Sequence, residues 1–185
     1  ADLADALELP AEARPRFARA PTTDALAVQN YAQARAALDR KDVPGNVARA
    51  INLFEGAIAR DKQFALAHAG LGEAYWQDYQ ATHAEDTVKK ATNAVMDALL
   101  IDNNLAEVHY TLGLILAGTN RADKAIEEYQ RSLAIDPTDS AHRALGELLA
   151  AAGKMDEALV QFDHAIELRP LSFQNYTARG GWCLR

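Results

Sequence analysis
The sequence predicts an all-α chain of about four helix-turn-helix repeats, with one extra helix at the C-terminal end. Three observations carry that reading. A set of small and bulky residues recurs as Ala50-x3-Phe54-x2-Ala57, Ala91-x3-Val95-x2-Ala98, Ala125-x3-Tyr129-x2-Ser132 and Ala158-x3-Phe162-x2-Ala165. A second set precedes three of these, as His68-x2-Leu71-Gly72-x2-Tyr75, His109-x2-Leu112-Gly113-x2-Leu116 and His142-x2-Leu145-Gly146-x2-Leu149. The leading alanines stand 41, 34 and 33 residues apart, a period that holds two helices and their turns.

Each element can be justified in order. Residues 1–23 do not fit the repeat and read as a linker or arm. Ala1 to Glu8 could form two helical turns with Leu3 and Leu7 on one side, and Pro10, Pro15 and Pro21 interrupt anything longer. Residues 24–185 hold the array. Thr22-Thr23-Asp24 supplies an N-cap cluster, and a first helix is expected from about Asp24 to Arg40. Its pattern is degenerate, with Gln33-Ala34 where later repeats have Leu-Gly. The break at Asp42-Val43-Pro44-Gly45 follows, and Pro44 is expected to open the next helix, where its missing N–H costs nothing.

The repeats are expected at about 27–64, 65–105, 106–138 and 139–172, with a partial one at 173–185. Each second helix should stop at Lys62, Asn103, Pro137 or Pro170, five residues after its last small residue. A longer turn is expected around Gln80 to Glu85. Asp136-Pro137-Thr138-Asp139 and Gly153-Lys154 mark the clearest boundaries. The partial repeat reads Tyr176-x2-Arg179-Gly180-x2-Cys183. Glycine inside a helix costs roughly 1 kcal/mol relative to alanine. Gly72, Gly113, Gly146 and Gly180 therefore imply another helix close against each. Phe54, Tyr129 and Phe162 should fill the remaining space.

Composition narrows the function classes. The net charge of −7 disfavours non-specific binding to nucleic acid or anionic lipid. No window approaches the ~20 apolar residues of a membrane-spanning helix, so direct membrane insertion is not expected. The lone Cys183 excludes an intrachain disulfide framework or a CxxC site. The chain opens on Ala1, with no signal-peptide core after it, as a processed or excised chain would. The cytoplasm is the default expectation, and an extracytoplasmic place the alternative if the chain follows a transmembrane segment.

These residues resemble the tetratricopeptide repeat, over about residues 24–185. That resemblance implies a right-handed α-α superhelix whose first helices line a concave groove for a peptide or protein segment. The run from Asp42-Val-Pro-Gly-Asn46 to Glu73-Ala-Tyr-Trp76 resembles repeat segments of multidomain bacterial signalling proteins, which accompany serine/threonine kinase or TolB-like domains or transcriptional regulators. No glycine-rich loop, HRD or DFG motif of a kinase is present. Similar arrays are fused to O-linked N-acetylglucosamine transferases, but no glycosyltransferase domain is present. A regulatory or sensor domain of a larger signalling protein is the alternative to a free-standing interaction module.

Carried over by register, the groove would present Tyr31, Arg35 and Leu38 from repeat one and Leu66, Ala69, Glu73, Trp76 and Gln77 from repeat two. Repeat three would add Glu107, Tyr110 and Leu114, and repeat four Arg143 and Glu147. Rigid rings with nearby charges suit a peptide, although Trp76, Tyr110 or Tyr31 could instead seal one repeat against the next. Repeat proteins that grip acidic chaperone tails use Lys, Asn and Arg at inward positions. Here Ala69, Glu73, Thr111 and Leu114 stand there, and Glu73 and Glu107 would repel such a tail.

His68, His109 and His142 share one motif position. Stacked helices lie about 8–10 Å apart, too far for equivalent side chains to meet on one zinc ion at about 2.0–2.1 Å, so packing is expected and no metal or cofactor. Glu127-Glu128 and Asp156-Glu157 read as solvated faces. With no nucleophile–base set or phosphate loop, an enzyme is not expected. Last, the partial repeat has no second helix, which predicts an apolar patch around Trp182 and Cys183 for a second copy or a longer chain.

Overall fold
The computed structural model describes residues 22–183, the last of them by its backbone alone. The expectations for residues 1–21 and for the Cys183 and Leu184 side chains lie outside the described residues. Among these there are nine helices and no strand. They pair as α1 (Ala25–Asp39) with α2 (Asn46–Arg60), α3 (Ala65–Thr82) with α4 (Glu85–Ile101), α5 (Ala106–Gly118) with α6 (Ala122–Ile135), and α7 (Asp139–Ala151) with α8 (Met155–Leu168). Helix α9 (Phe173–Cys183) closes against α8 and α7. The architecture is an all-α superhelical repeat fold.

The recurring residues are the core. Ala50, Phe54, Ala57, Ala91, Val95, Ala98, Ala125, Ala158, Phe162 and Ala165 are wholly shielded from solvent, and Tyr129 and Ser132 nearly so. A Cβ on Gly113 would stand 2.5 Å from the Tyr129 ring, and one on Gly146 2.7 Å from Phe162. A Cβ on Gly72 would meet Val95 at 2.5 Å. Each glycine thus admits the bulky residue of its partner helix, and at Gly72 and Gly146 the backbone carbonyls of Ala91 and Ala158 also come near. In the degenerate first repeat Ala34 is buried at the glycine's position. Three apolar clusters run into one another along the stack, sharing Tyr75, Leu112 and Leu114.

The helix ends follow local rules. The N–H groups of Asp61, Asp102, Asp136 and Arg169 bond back to the carbonyls of Ala57, Ala98, Ser132 and Ala165. At the three aspartates the chain then turns extended, and all four of these end residues lie one residue ahead of the expected stops. Asp61 and Asp102 each accept an N–H two residues on, at 2.9 Å, closing an Asx-turn. Asp24 caps α1 by accepting from Leu26 and Ala27 and holds Arg60 at 2.8 Å. The Arg60 bond first, then the Ala27 N–H, lower its pKa to about 2.

Three expectations need correction here. Pro44 does not open α2: it sits in the preceding turn, Gly45 takes φ +85°, and the helix starts at Asn46. Gln80 to Glu85 is not a long turn, because α3 continues to Thr82 and only His83 and Ala84 separate it from α4. The extra residues lengthen α3 to 18 and α4 to 17, against 13 and 14 for α5 and α6. The helices gain five and three residues and the turn between them is one shorter, which accounts for the seven extra residues of the repeat. Finally, nothing lies within 4 Å of a Cβ on Gly180, because no second helix pairs with α9 among the described residues.

The glycine contacts predict opposite signs for one substitution. Gly113→Ala should destabilise by about 1–3 kcal/mol, since a buried ring must move. Gly180→Ala should stabilise by roughly 0.5 kcal/mol, through helix propensity alone. Urea midpoints measured side by side check both, and a gain at Gly113 would contradict the packing described.

Candidate concave site
The first helices of successive repeats, α3, α5, α7 and α9, share one side of the stack and enclose a concave pocket of about 470 Å³. Helix α3 presents Trp76, Gln77 and Gln80, and α5 presents Tyr110 and Leu114. Helix α7 contributes Ser140, Arg143, Ala144 and Glu147, and α9 contributes Gln174, Thr177 and Ala178. These spacings of three and four residues are one helix face each. Lys41, from the turn after α1, completes the rim. Of the residues expected in the groove, Trp76, Gln77, Tyr110, Leu114, Arg143 and Glu147 meet here.

The others stand elsewhere. Leu38 and Ala69 are buried in the core clusters and do not line the pocket. Leu66 and Tyr31 pack against the first cluster, Tyr31 with ring centroids 5.8 Å from Phe54 and 5.2 Å from Phe64. Arg35 of α1 bonds to Glu73 of α3 and ties repeat one to repeat two. Burial opposes the Arg35 charge, and the Glu73 carboxylate more than offsets it. Glu107 is exposed on α5, one turn before Tyr110.

Trp76 corrects a sharper expectation. Its side chain is only 3% exposed, and its ring lies against Gly118 at the end of α5 and 5.2 Å from Tyr79. The ring seals repeat two against repeat three and reaches the pocket by an edge. The later repeats carry Ala117 and Ala150 at this place. Gly118 makes room for the indole, since a Cβ there would collide with the ring. Tyr110 is half-buried, 6.1 Å from Tyr129 between ring centroids, and burial raises its phenol pKa.

The pocket's charges differ in how they are held. The Arg143 guanidinium donates to Asn175 Oδ1 at 2.9 Å and lies 3.8 Å from Asp139. Lys41 Nζ donates to Gln77 Oε1 at 3.0 Å. Glu147 has no hydrogen bond or ion pair among the described residues. The surrounding protein raises its pKa, with Arg143 opposing.

Asn175 was missed by sequence reading. It is fully buried where other repeats have Ala67, Val108 or Ala141, and its amide donates to the Ala165 carbonyl at 2.9 Å. A polar residue at an otherwise apolar register position was the available signal. The histidines also do more than pack. His109 Nδ1 lies 2.6 Å from Glu128, and His142 Nδ1 lies 2.8 Å from Gln161, each joining the two helices of a repeat. Glu128 is therefore buried rather than solvated, because it also accepts from Arg131 at 2.9 Å. Among the described residues no group of His, Cys, Asp and Glu is placed to hold a metal, and no helix is long and apolar enough to cross a membrane.

Trp76→Ala should cost about 3–5 kcal/mol of stability, as loss of a buried aromatic does. Thermal or urea unfolding checks this, and an unchanged midpoint would show the ring to be dispensable to the stack.

Comparison with known proteins matches the geometry. Tetratricopeptide-repeat profiles match residues 45–98 and 106–139. A thermophilic tetratricopeptide-repeat protein of Thermus thermophilus superposes with a TM-score of 0.73 at 25% identity, over 94% of this chain and 87% of that one. PilF of Pseudomonas aeruginosa gives 0.63 at 18% identity, over 85% and 69%. YrrB, described as having an unusual peptide-binding site, gives 0.52 at 21%, over 95% and 83%. A comparison with curated protein sequences returned no match. Tetratricopeptide repeats are typically protein-interaction modules, and proteins of this fold are generally non-enzymatic scaffolds. With its repeated small-and-bulky interlock, its paired helices and these matches, the chain is a tetratricopeptide-repeat protein.

Proposed function
We propose that this chain is a protein-interaction module that holds an extended or helical segment of a partner in the concave pocket. The pocket spans α3 to α9 and is rimmed by Gln77, Gln80, Ser140, Gln174 and Thr177. Such amide and hydroxyl groups can bond a peptide backbone without regard to its sequence. Tyr110 and Leu114 supply apolar contact beside them. A neighbour of the same fold, YrrB, is described as binding a peptide, in keeping with this use of the architecture. Linear peptides selected from a random library should bind the protein and lose about tenfold in affinity with Thr177→Arg, which fills the pocket from an exposed position. Unaltered affinity would place the binding surface elsewhere.

A second interaction is proposed at the C-terminal end. Leu171, Phe173 and Tyr176 are 99%, 72% and 51% exposed, and α9 has no second helix beside it among the described residues. Trp182, in contrast, is half-buried against the last cluster, so the expected patch around it moves to Phe173 and Tyr176. This face would be covered by a second copy. Sedimentation velocity should then show concentration-dependent association that Phe173→Asp abolishes. A strict monomer at high concentration would rule it out.

A further inference from the structure
We infer that the partner segment carries a lysine or arginine, whose cation is received by Glu147 in the concave pocket. The inference rests on the peptide-binding reading above and adds the chemical class of the ligand. It follows from which of the pocket's charges are already engaged. Arg143 is held by Asn175 and faces Asp139, and Lys41 is bonded to Gln77. Glu147, one turn beyond Arg143 on α7, has no such partner among the described residues. A carboxylate set down among protein atoms loses part of its hydration, and a ligand cation would restore what water no longer supplies.

The neighbouring surface suits the rest of such a side chain. Tyr110 and Leu114 line the same pocket and offer an apolar path for a lysine or arginine stem. Glu107 shares that face of α5, seven residues before Leu114, and it too is exposed and without a partner among the described residues. The third carboxylate on this side, Glu73, is already neutralised by Arg35. Two unpaired carboxylates on the concave side, in a chain of net charge −7, attract a basic segment and repel an acidic one.

Random linear peptides panned against the intact protein give the test. Selected peptides should carry Lys or Arg at a common position, and replacing that residue by Gln should weaken binding about tenfold. Glu147→Gln should lower the affinity of the original peptide by a similar factor and leave the circular dichroism spectrum unchanged. Glu147→Lys should restore binding to a peptide with Glu at that position. Affinity for the basic peptide should also fall as the pH drops through the Glu147 pKa, when the carboxylate takes up a proton. Selected peptides with no basic preference, or with acidic residues directed at Lys41 and Arg143, would overturn the inference while leaving peptide binding intact. So would indifference to Glu147→Gln. If no peptide is selected, the peptide-binding reading fails and this inference fails with it.

Discussion
The close approach of a glycine on one helix to a bulky side chain on its partner governs the rest of the molecule. At Gly113 and Gly146 the missing Cβ leaves room for the rings of Tyr129 and Phe162, sixteen residues on in each case. Helices that meet this closely must present small residues along the contact, hence the wholly buried alanines at 125, 158 and 165. The same contact thus recurs in two successive pairs, α5 with α6 and α7 with α8. Successive pairs stack so that α3, α5, α7 and α9 share one side.

That side is the one proposed above as the binding surface. First helices that share a face bring together residues more than a hundred positions apart, such as Trp76 and Ala178. The polar groups there differ from those in the core. Core polar groups are satisfied within the protein, as His109 is by Glu128 and the Asn103 carbonyl. Asn175 is a related case, because the same side chain docks α9 onto α8 and orients Arg143 toward the pocket. One buried amide therefore links the stability of the last helix to the electrostatics of the site.

The outer side of the stack offers a contrast. A depression of about 530 Å³ lies between α2 and α4, floored by Leu71 and Tyr75 of α3. Its polar groups are largely engaged already: Tyr75 donates to Glu55 at 2.8 Å, and Lys90 pairs with Asp86 at 2.9 Å. A ligand there would have to break contacts that stabilise the repeat. In the concave pocket, by contrast, Glu147 has no hydrogen bond or ion pair among the described residues, and that difference favours the concave side in the proposal above.

The local pattern by itself determined the helices, the core and most of the helix ends, the start of α2 and the turn between α3 and α4 excepted. Ala50-x3-Phe54-x2-Ala57 and its successors are contacts of one helix with its neighbour, repeated at nearly constant spacing, and such contacts are written in consecutive residues. The seven extra residues of the second repeat show where that legibility stops. Their number is plain in the sequence, but only packing shows that they continue α3 and α4 by about a turn each instead of forming a loop. Trp76 lies against Gly118 at the end of α5, so of the two roles its register allowed, it takes that of a seal between repeats. Register along a helix assigns a residue to a face, but how deep that face lies depends on where the next helix ends. Lys41 entered the site from a turn that no helical register describes. Register placed Tyr110 and Glu147 on the groove face, but that Lys41 and Thr177 join them was decided by tertiary structure, since their proximity depends on how the repeats stack and not on any local run of residues.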